Sequence, residues 1–295
     1  MSNNPGPTRT SPTIAALLVV HNEEHYIRGA LESIADTVDS IMVVHDGPCS
    51  DRTLEIAKAY TNQVRCTADI HGSAEFIRPR ALAQIDADWV LILVADERLS
   101  PDLQRILRSL TGDPAADSYG FSWPYVDNAH NRIGNLNLAG KRFLFRRSMM
   151  YTIGLPHMTP DTYGRNVSRP DLEVWHVMKH NHGWGQLRRM FRVNRKRARQ
   201  AANVLRKGAG AVETYNADVA ENRAGNVRKL RLLATHPVIA LVIVPLSIFF
   251  RRYFLLGYFR TGLSGLHDAL NIPVYYAWIS LYRIRDGLKR KAPAT

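Results

Sequence analysis

Three short apolar runs, each closed by polar residues at its carboxyl end, restrict this chain more than any other feature of its sequence. Ile14–Val20 stops at His21-Asn22-Glu23-Glu24, Ile41–Val44 is closed by Asp46-Gly47-Pro48, and Trp89–Val94 stops at Ala95-Asp96-Glu97. Runs of that length, bounded in that way, are predicted to be buried strands. Between them lie helical patterns. Ile27, Leu31 and Ile34 fall at helical spacing within Glu24 to Ile34; Asp51 is placed to cap a helix from Arg52 to Tyr60; and a third helix, Arg78 to Ile85, leads into the last run. Strands alternating with helices predict βαβ units, and so an α/β fold with a mostly parallel central sheet flanked by helices. In such a sheet the carboxyl ends of the strands share one edge, and ligands bind there.

Beyond this frame, Tyr119–Val126 and Lys141–Arg147 are predicted strands, and Asp171 to His176 adds another. From Trp184 the pattern turns helical and basic, and after His236-Pro237 it turns apolar and aromatic. A chain of 295 residues with 45% hydrophobic content suffices for one core with an appendage. The expected division is a disordered tail over 1–12, a catalytic domain over 13–235 and a helical, membrane-associating region over 236–295. The apolar run at Ile14 lacks a basic leader and a cleavage site, so it is predicted to be a first strand rather than a signal peptide. Cys49 and Cys66 are too few for a disulfide framework.

The charge is unevenly spread. Net charge is +13, yet 21 of the 39 Lys and Arg lie from Arg188 onward, against 5 of the 26 acidic residues, so residues 1–187 are slightly acidic. A basic block of this kind implies an anionic partner, either lipid head groups or nucleic acid. No nucleic-acid fold signature accompanies it. Val238 to Phe250 is uncharged over thirteen residues, contains Pro245 and is followed by Arg251-Arg252. That is short of the ~20 residues of a spanning helix and predicts an interfacial or re-entrant segment. Phe249, Phe250, Tyr253, Phe254, Tyr258 and Phe259, interleaved with arginines, have the composition of an interfacial belt, as do Tyr275, Tyr276, Trp278 and Tyr282 beside Arg283 and Arg285. The alternative is a helical subdomain packed on the core, and the two are compatible.

Asp96 and Glu97, at the rim of the third strand, are placed to hold a divalent cation against a diphosphate, and hard oxygen ligands suit magnesium or manganese. The alternative reading is that either residue caps the next helix, whose start is marked by Ser100-Pro101-Asp102. Asp46 could accept hydrogen bonds from a base or ribose, with Gly47 allowing close approach, or simply close a turn.

Four segments in order, Leu18-Val19-Val20-His21-Asn22-Glu23-Glu24, Val43 to Thr53 containing His45-Asp46-Gly47, Arg78-Pro79-Arg80-Ala81-Leu82, and Asp88 to Ser100 containing Val94-Ala95-Asp96-Glu97, resemble the successive motifs of family 2 glycosyltransferases. The resemblance covers roughly residues 13 to 150 and implies a GT-A fold and an inverting, metal-assisted transfer of sugar from a nucleotide-diphosphate donor, here a UDP-sugar with Mg2+ or Mn2+. It implies that His21, Asn22 and Glu23 line the nucleotide pocket, that Asp46 contacts the base, that Arg78 and Arg80 lie near the donor, and that Ala95 and Asp96 belong to the metal motif. One departure stands out: the family's Asp-x-Asp is Val94-Ala95-Asp96, without its first carboxylate. Metal binding then falls to Asp96, with Glu97 assisting.

The distal half resembles membrane-associated transferases of the lipopolysaccharide-core kind, through Lys141 to Arg147, Phe250 to Phe259 and Gly262 to Leu270. Their His-Glu pair is matched only by His157-Met158. For the base that takes the acceptor proton, Asp161 is the first candidate and His157 the second. His176 matches a position near the metal or diphosphate, while His180 and His182 are assigned to the surface or acceptor side. The expected acceptor is a glycan or lipid-linked molecule at an anionic membrane surface, the expected place is the cytoplasmic face, peripheral or monotopic, and no nucleic-acid partner is expected. The missing carboxylates also leave open a catalytically weakened sugar-nucleotide-binding protein.

Overall fold

The computed structural model describes residues 11–132, 140–177, 184–216 and 225–291. The first half runs β1 (Ile14–Val20), α1 (Ile27–Glu32), β2 (Ser40–His45), α2 (Thr53–Lys58), β3 (Gln63–Cys66), α3 (Ala74–Leu82) and β4 (Trp89–Leu93). It continues through β5 (Glu97–Leu99), α4 (Pro101–Leu110), β6 (Ser118–Ser122), β7 (Tyr125–Val126), β8 (Lys141–Arg146), β9 (Met150–Ile153), β10 (Asp161–Thr162) and β11 (Asn166–Val177). The rest is α5 (Trp184–Arg206), β12 (Thr214–Tyr215), α6 (Gly225–Thr235), α7 (Pro237–Phe250) and α8 (Gly262–Lys291).

The main sheet has the order β3-β2-β1-β4-β8-β6-β11-β5, with β7 paired to β11. Its first four strands are parallel, β8 is antiparallel to both neighbours, and β5 is antiparallel to β11. The chain leaves β1 in one direction toward β2 and β3 and returns on its other side at β4. Strand order reverses there, and the ends of β1, β2 and β4 make a crevice at the switch point. β1, β2 and β4 are apolar on both faces because helices cover the sheet on both sides; Ile14, Leu18, Val43 and Leu91 pack toward one layer, Leu17, Met42, Val90 and Ile92 toward the other.

Several boundaries differ from those expected. α3 begins four residues before Arg78, and Pro79 lies inside it. The strand expected over Tyr119–Val126 divides into β6 and β7 around Pro124, which has no amide proton to donate to a ladder. β11 is twice the expected length.

The C-terminal helical extension shares a core with the half of the chain that carries the sheet. Ile153, Leu155 and Met158 share one buried cluster with Ala198, Ala201, Ala202 and Leu205 of α5 and Tyr275, Tyr276 and Ile279 of α8, so that core crosses the expected boundary at 235/236. α7 continues through a π-helical turn, Arg251–Leu255, giving a helical segment of 19 residues with mean hydropathy 1.9. This corrects the expectation that the segment is too short: by length and composition it is sufficient to cross a membrane, because neither Pro245 nor Arg251-Arg252 ends the helix. Its inner face, Ala240 and Val244, joins the α5–α8 core. Its outer face is bare: Val238, Val242, Leu246 and Phe250, four residues apart, are each more than half exposed.

Candidate active site

The crevice begins at the end of β1, where Asn22 turns the chain with a φ of 51°. A non-glycine residue in this left-handed region is held there by its surroundings. The Asn22 amide donates to His45 Nε2 at 3.0 Å, its side-chain oxygen accepts from the Ser50 amide at 2.9 Å, and His21 Nδ1 meets the Asp46 carbonyl at 2.6 Å. The buried His45 ring places its Nδ1 2.6 Å from the Gly47 carbonyl, so the ring joins the ends of β1 and β2. The Glu23 amide donates to Thr53 Oγ1 at 2.6 Å. Asp51 accepts from the Glu24 amide at 3.1 Å and the Thr53 amide at 2.9 Å. Partial burial works to raise the Asp51 pKa, but these hydrogen bonds outweigh it and lower the value to about 2.

Asp46 is buried, and both its oxygens are engaged. Oδ1 accepts from the His71 amide at 2.7 Å and lies 3.0 Å from His71 Nδ1, while Oδ2 accepts from the Gly72 amide at 2.7 Å. It therefore fastens the 67–72 loop to the end of β2, a role the sequence reading did not include. Gly47 has a φ of 80°, and a Cβ there would stand 2.3 Å from Ile70 Cγ1, so this turn needs glycine. The other face of the loop is tied to α5, where Gln200 Nε2 donates to the His71 carbonyl at 3.1 Å.

Arg78 and Arg80 diverge. Arg78 is buried with its Nε unpartnered, next to Glu75, whereas Arg80 is exposed and paired with Glu213. Burial works to raise the Glu75 carboxyl, but the charge of Arg78 foremost, with the Ser73 hydroxyl, His157 and Arg197, brings it below its ordinary value.

At the end of β4, Asp96 and His176 come together and Glu97 turns away. The Val177 amide donates to the Asp96 carbonyl at 2.8 Å, and β11 runs antiparallel to β5 so that His176 registers with Glu97. That pairing sets His176 Nε2 3.3 Å from Asp96 Oδ2. The His176 ring stacks on Trp123 at 4.5 Å and leans on Tyr125 at 4.9 Å, and its Nδ1 is buried without a partner. Glu97 is fully buried; one carboxylate oxygen accepts from the Val94 amide at 2.9 Å and the other pairs with Lys141. It supports the turn beneath Asp96 instead of facing the rim. Ala95, the residue before them, is buried.

Beyond Trp123 and Tyr125 opens a cleft of about 500 Å3, walled on one side by Lys141 and Arg142 of β8 and on the other by helical residues that include Asn271 and Tyr276. Asp161 is tightly occupied: one oxygen pairs with Arg142 and accepts from the Thr162 amide, and the other accepts from the Tyr151 hydroxyl at 3.1 Å. His157 lines the cleft itself, at a φ of 62°. Asn194 donates through its amide nitrogen to the Asn271 carbonyl and side-chain oxygens at 2.9 and 2.8 Å, leaving its own oxygen to accept from His157 Nε2 at 2.8 Å. This assigns the proton to Nε2 and the lone pair to Nδ1. Burial lowers the His157 pKa below its ordinary value, so the ring is neutral at pH 7. The cleft walls from α6 to α8 were not singled out as site residues from sequence; their aromatics and arginines suggested a membrane belt. His180 and His182 lie outside the described residues.

Residues 16–168 match the model of the family described as Glycosyl transferase family 2, which spans more than half of the chain. The chain belongs to this family. It is a glycosyltransferase, and its α/β sheet with a C-terminal helical extension is the GT-A arrangement. No curated protein matches the sequence. Among solved structures, the enzyme is similar to S. aureus TarS 1-349 in complex with UDP-GlcNAc, at 14% identity and a TM-score of 0.46 over 92% of each chain. It is also similar to glucosyl-3-phosphoglycerate synthase from Mycobacterium tuberculosis in complex with Mg2+ and UDP, at 20% identity and a TM-score of 0.34. That second match covers 41% of this chain and 49% of the mycobacterial one, so it spans about half of that protein.

Proposed function

We propose that this family 2 glycosyltransferase is an inverting enzyme that moves a sugar from a UDP-sugar to a glycan or lipid-linked acceptor at the cytoplasmic face of a membrane, with a divalent cation at Asp96 and His176. The observation that carries the reading is the 3.3 Å approach of Asp96 Oδ2 and His176 Nε2 at the switch-point crevice. Two ligands each about 2.1 Å from a cation and roughly at right angles stand about 3 Å apart, so the pair fits Mg2+ or Mn2+. When bound, such a cation offsets the negative charge that gathers on the diphosphate. Arg78, buried in α3 with its Nε unpartnered, would add positive charge on the donor side.

In the transfer, the acceptor oxygen forms a bond to the anomeric carbon as the bond from that carbon to the diphosphate oxygen breaks. The electron pair leaves with the nucleoside diphosphate, and the acceptor proton passes to a base. His157 suits that task better than Asp161: it is neutral, holds a lone pair on Nδ1 and lines the cleft, whereas the Asp161 carboxylate is committed to Arg142 and Tyr151. Membrane association rests on the bare outer face of α7. Because its inner face packs on α8, the helix is suited to lie in the interface as part of the folded protein.

Thermal shift with UDP, GDP and CDP, each with and without Mn2+, tests the donor and metal assignments. Stabilisation is expected with UDP and Mn2+ together, and it should be lost in Asp96→Ala; because Asp96 is buried against His176, the free variant should also melt below wild type while keeping its circular dichroism spectrum. Equal metal-dependent stabilisation of Asp96→Ala would refute the site.

A further inference from the structure

The cleft carries more positive charge than the transfer uses. Lys141 and Arg142 are each matched by a carboxylate, Glu97 and Asp161. On the opposite wall stand Lys229 of α6 with Arg251 and Arg252 of the π-helical turn. Neither arginine forms an ion pair among the described residues. The Arg252 guanidinium lies over the Tyr258 ring at 4.9 Å and reaches that hydroxyl at 3.4 Å, while its Nε is buried with no partner. The nearby acid, Asp268, accepts from the Tyr125 hydroxyl at 3.3 Å and lies 2.9 Å from His267 Nδ1.

An anion entering the cleft meets three cations within this wall. Burial first, and then the charge of Arg251, push the Lys229 pKa below its ordinary value, only partly countered by Asp161. Like charges held close together repel one another, and an anion between them relieves the repulsion while supplying an acceptor for the buried, unpartnered Arg252 Nε. The same turn borders the bare face of the helix. Phe250, Phe254 and Leu255, on either side of the two arginines, are exposed by 56%, 51% and 70%.

We propose that the cleft is the seat of a phosphate-bearing lipid acceptor, its phosphate gripped as a recognition group by Arg251, Arg252 and Lys229, its hydrocarbon chain running out along the exposed face of α7, and the hydroxyl that gives its proton to His157 carried elsewhere on the head group. The proposal rests on the membrane-acceptor reading above and gives that acceptor a chemical class. Phosphate fits the wall because Arg presents paired donors to its oxygens, and the apolar stripe beginning one residue away commits the ligand to a lipid source rather than free phosphate.

Isothermal titration of the full-length enzyme with dodecyl phosphate, dodecanol and inorganic phosphate tests it, with UDP plus Mn2+ titrated in parallel. Dodecyl phosphate should bind at least tenfold more tightly than either dodecanol or inorganic phosphate. Arg251→Gln, at an exposed position, should weaken it severalfold and Arg251→Gln/Arg252→Gln at least tenfold, with UDP affinity unchanged within twofold. Equal binding of dodecyl phosphate and dodecanol, equal binding of dodecyl phosphate and inorganic phosphate, or indifference to Arg251→Gln would overturn the proposal. Failure of UDP to bind would instead strike the donor reading, so the two are separable.

Discussion

Asp46→Ala removes the acceptor of three contacts at once: the His71 amide at 2.7 Å, His71 Nδ1 at 3.0 Å and the Gly72 amide at 2.7 Å. A hydrogen bond to a charged group contributes about 1.5–3 kcal/mol, and the low end applies here because the His71 ring is partly exposed and the loop can relax onto water. The two backbone bonds at that low end sum to about 3 kcal/mol, the partly exposed His71 ring contact adding little. At roughly 2–4 °C per kcal/mol for a chain of this size class, the melting temperature should fall by about 6–12 °C. Circular dichroism melts measure this, and limited proteolysis should show new cleavage within residues 67–72. Asp46→Asn should fall between wild type and Ala, since an amide oxygen can serve one of the two backbone donors while its NH2 opposes the other. If Asp46→Ala melts within about 1 °C of wild type yet loses nucleotide affinity, the carboxylate serves the ligand alone and the loop-fastening argument is wrong.

Lys141→Met leaves the fully buried Glu97 without its cation and should destabilise the protein by about 3–5 kcal/mol by urea titration, with Lys141→Met/Glu97→Gln recovering part of the loss. Recovery of nothing would mean that the ion pair is not the source. For Asp51, the folded pKa of about 2 lies below its ordinary 3.8, so its stabilising contribution is complete above pH 3.8 and lost as pH falls toward 2. Wild type should therefore lose more stability across that window than Asp51→Asn, and parallel urea curves would contradict this. Val242→Asp/Leu246→Asp, at positions 55% and 62% exposed, should abolish flotation with anionic liposomes without lowering the melting temperature. Retained flotation would remove α7 from the membrane reading. Such substitutions are a cleaner probe than deleting the chain from Val238 onward, which would strip α8 from the core it shares with α5.

The strands that matter most were legible because burial on both faces left them as unbroken apolar runs, and their polar ends marked the crevice without help from tertiary structure. β3 was not legible: it is an edge strand, with Gln63, Arg65 and Cys66 all exposed, so neither alternation nor an apolar run announces it. β5 was hidden for a different reason. Glu97-Arg98-Leu99 has no strand pattern, and only its pairing with β11 makes it one. The same pairing decided the fate of two adjacent carboxylates. Sequence places Asp96 and Glu97 side by side, but which faces the rim depends on Lys141, forty-four residues away, and on a backbone amide at Val94. The second wall of the cleft was misread for want of geometry: aromatics interleaved with arginines look alike whether they face lipid or a pocket, and the π turn at Arg251 lets one segment do both.

Gln200 and Asn194 lie on the same helix, and each holds a different end of the enzyme. Gln200 bonds the loop that Asp46 fastens at the nucleotide edge, and Asn194 orients the cleft imidazole of His157 while gripping α8 at Asn271. A shift of the 67–72 loop must therefore either break the Gln200 bond or carry α5 with it, and α5 cannot slide without dragging at His157 and α8. On the proposed reading, the donor side and the acceptor side are thus joined through one helix, and if binding of one ligand settles α5, linkage requires that the same free energy favour the other.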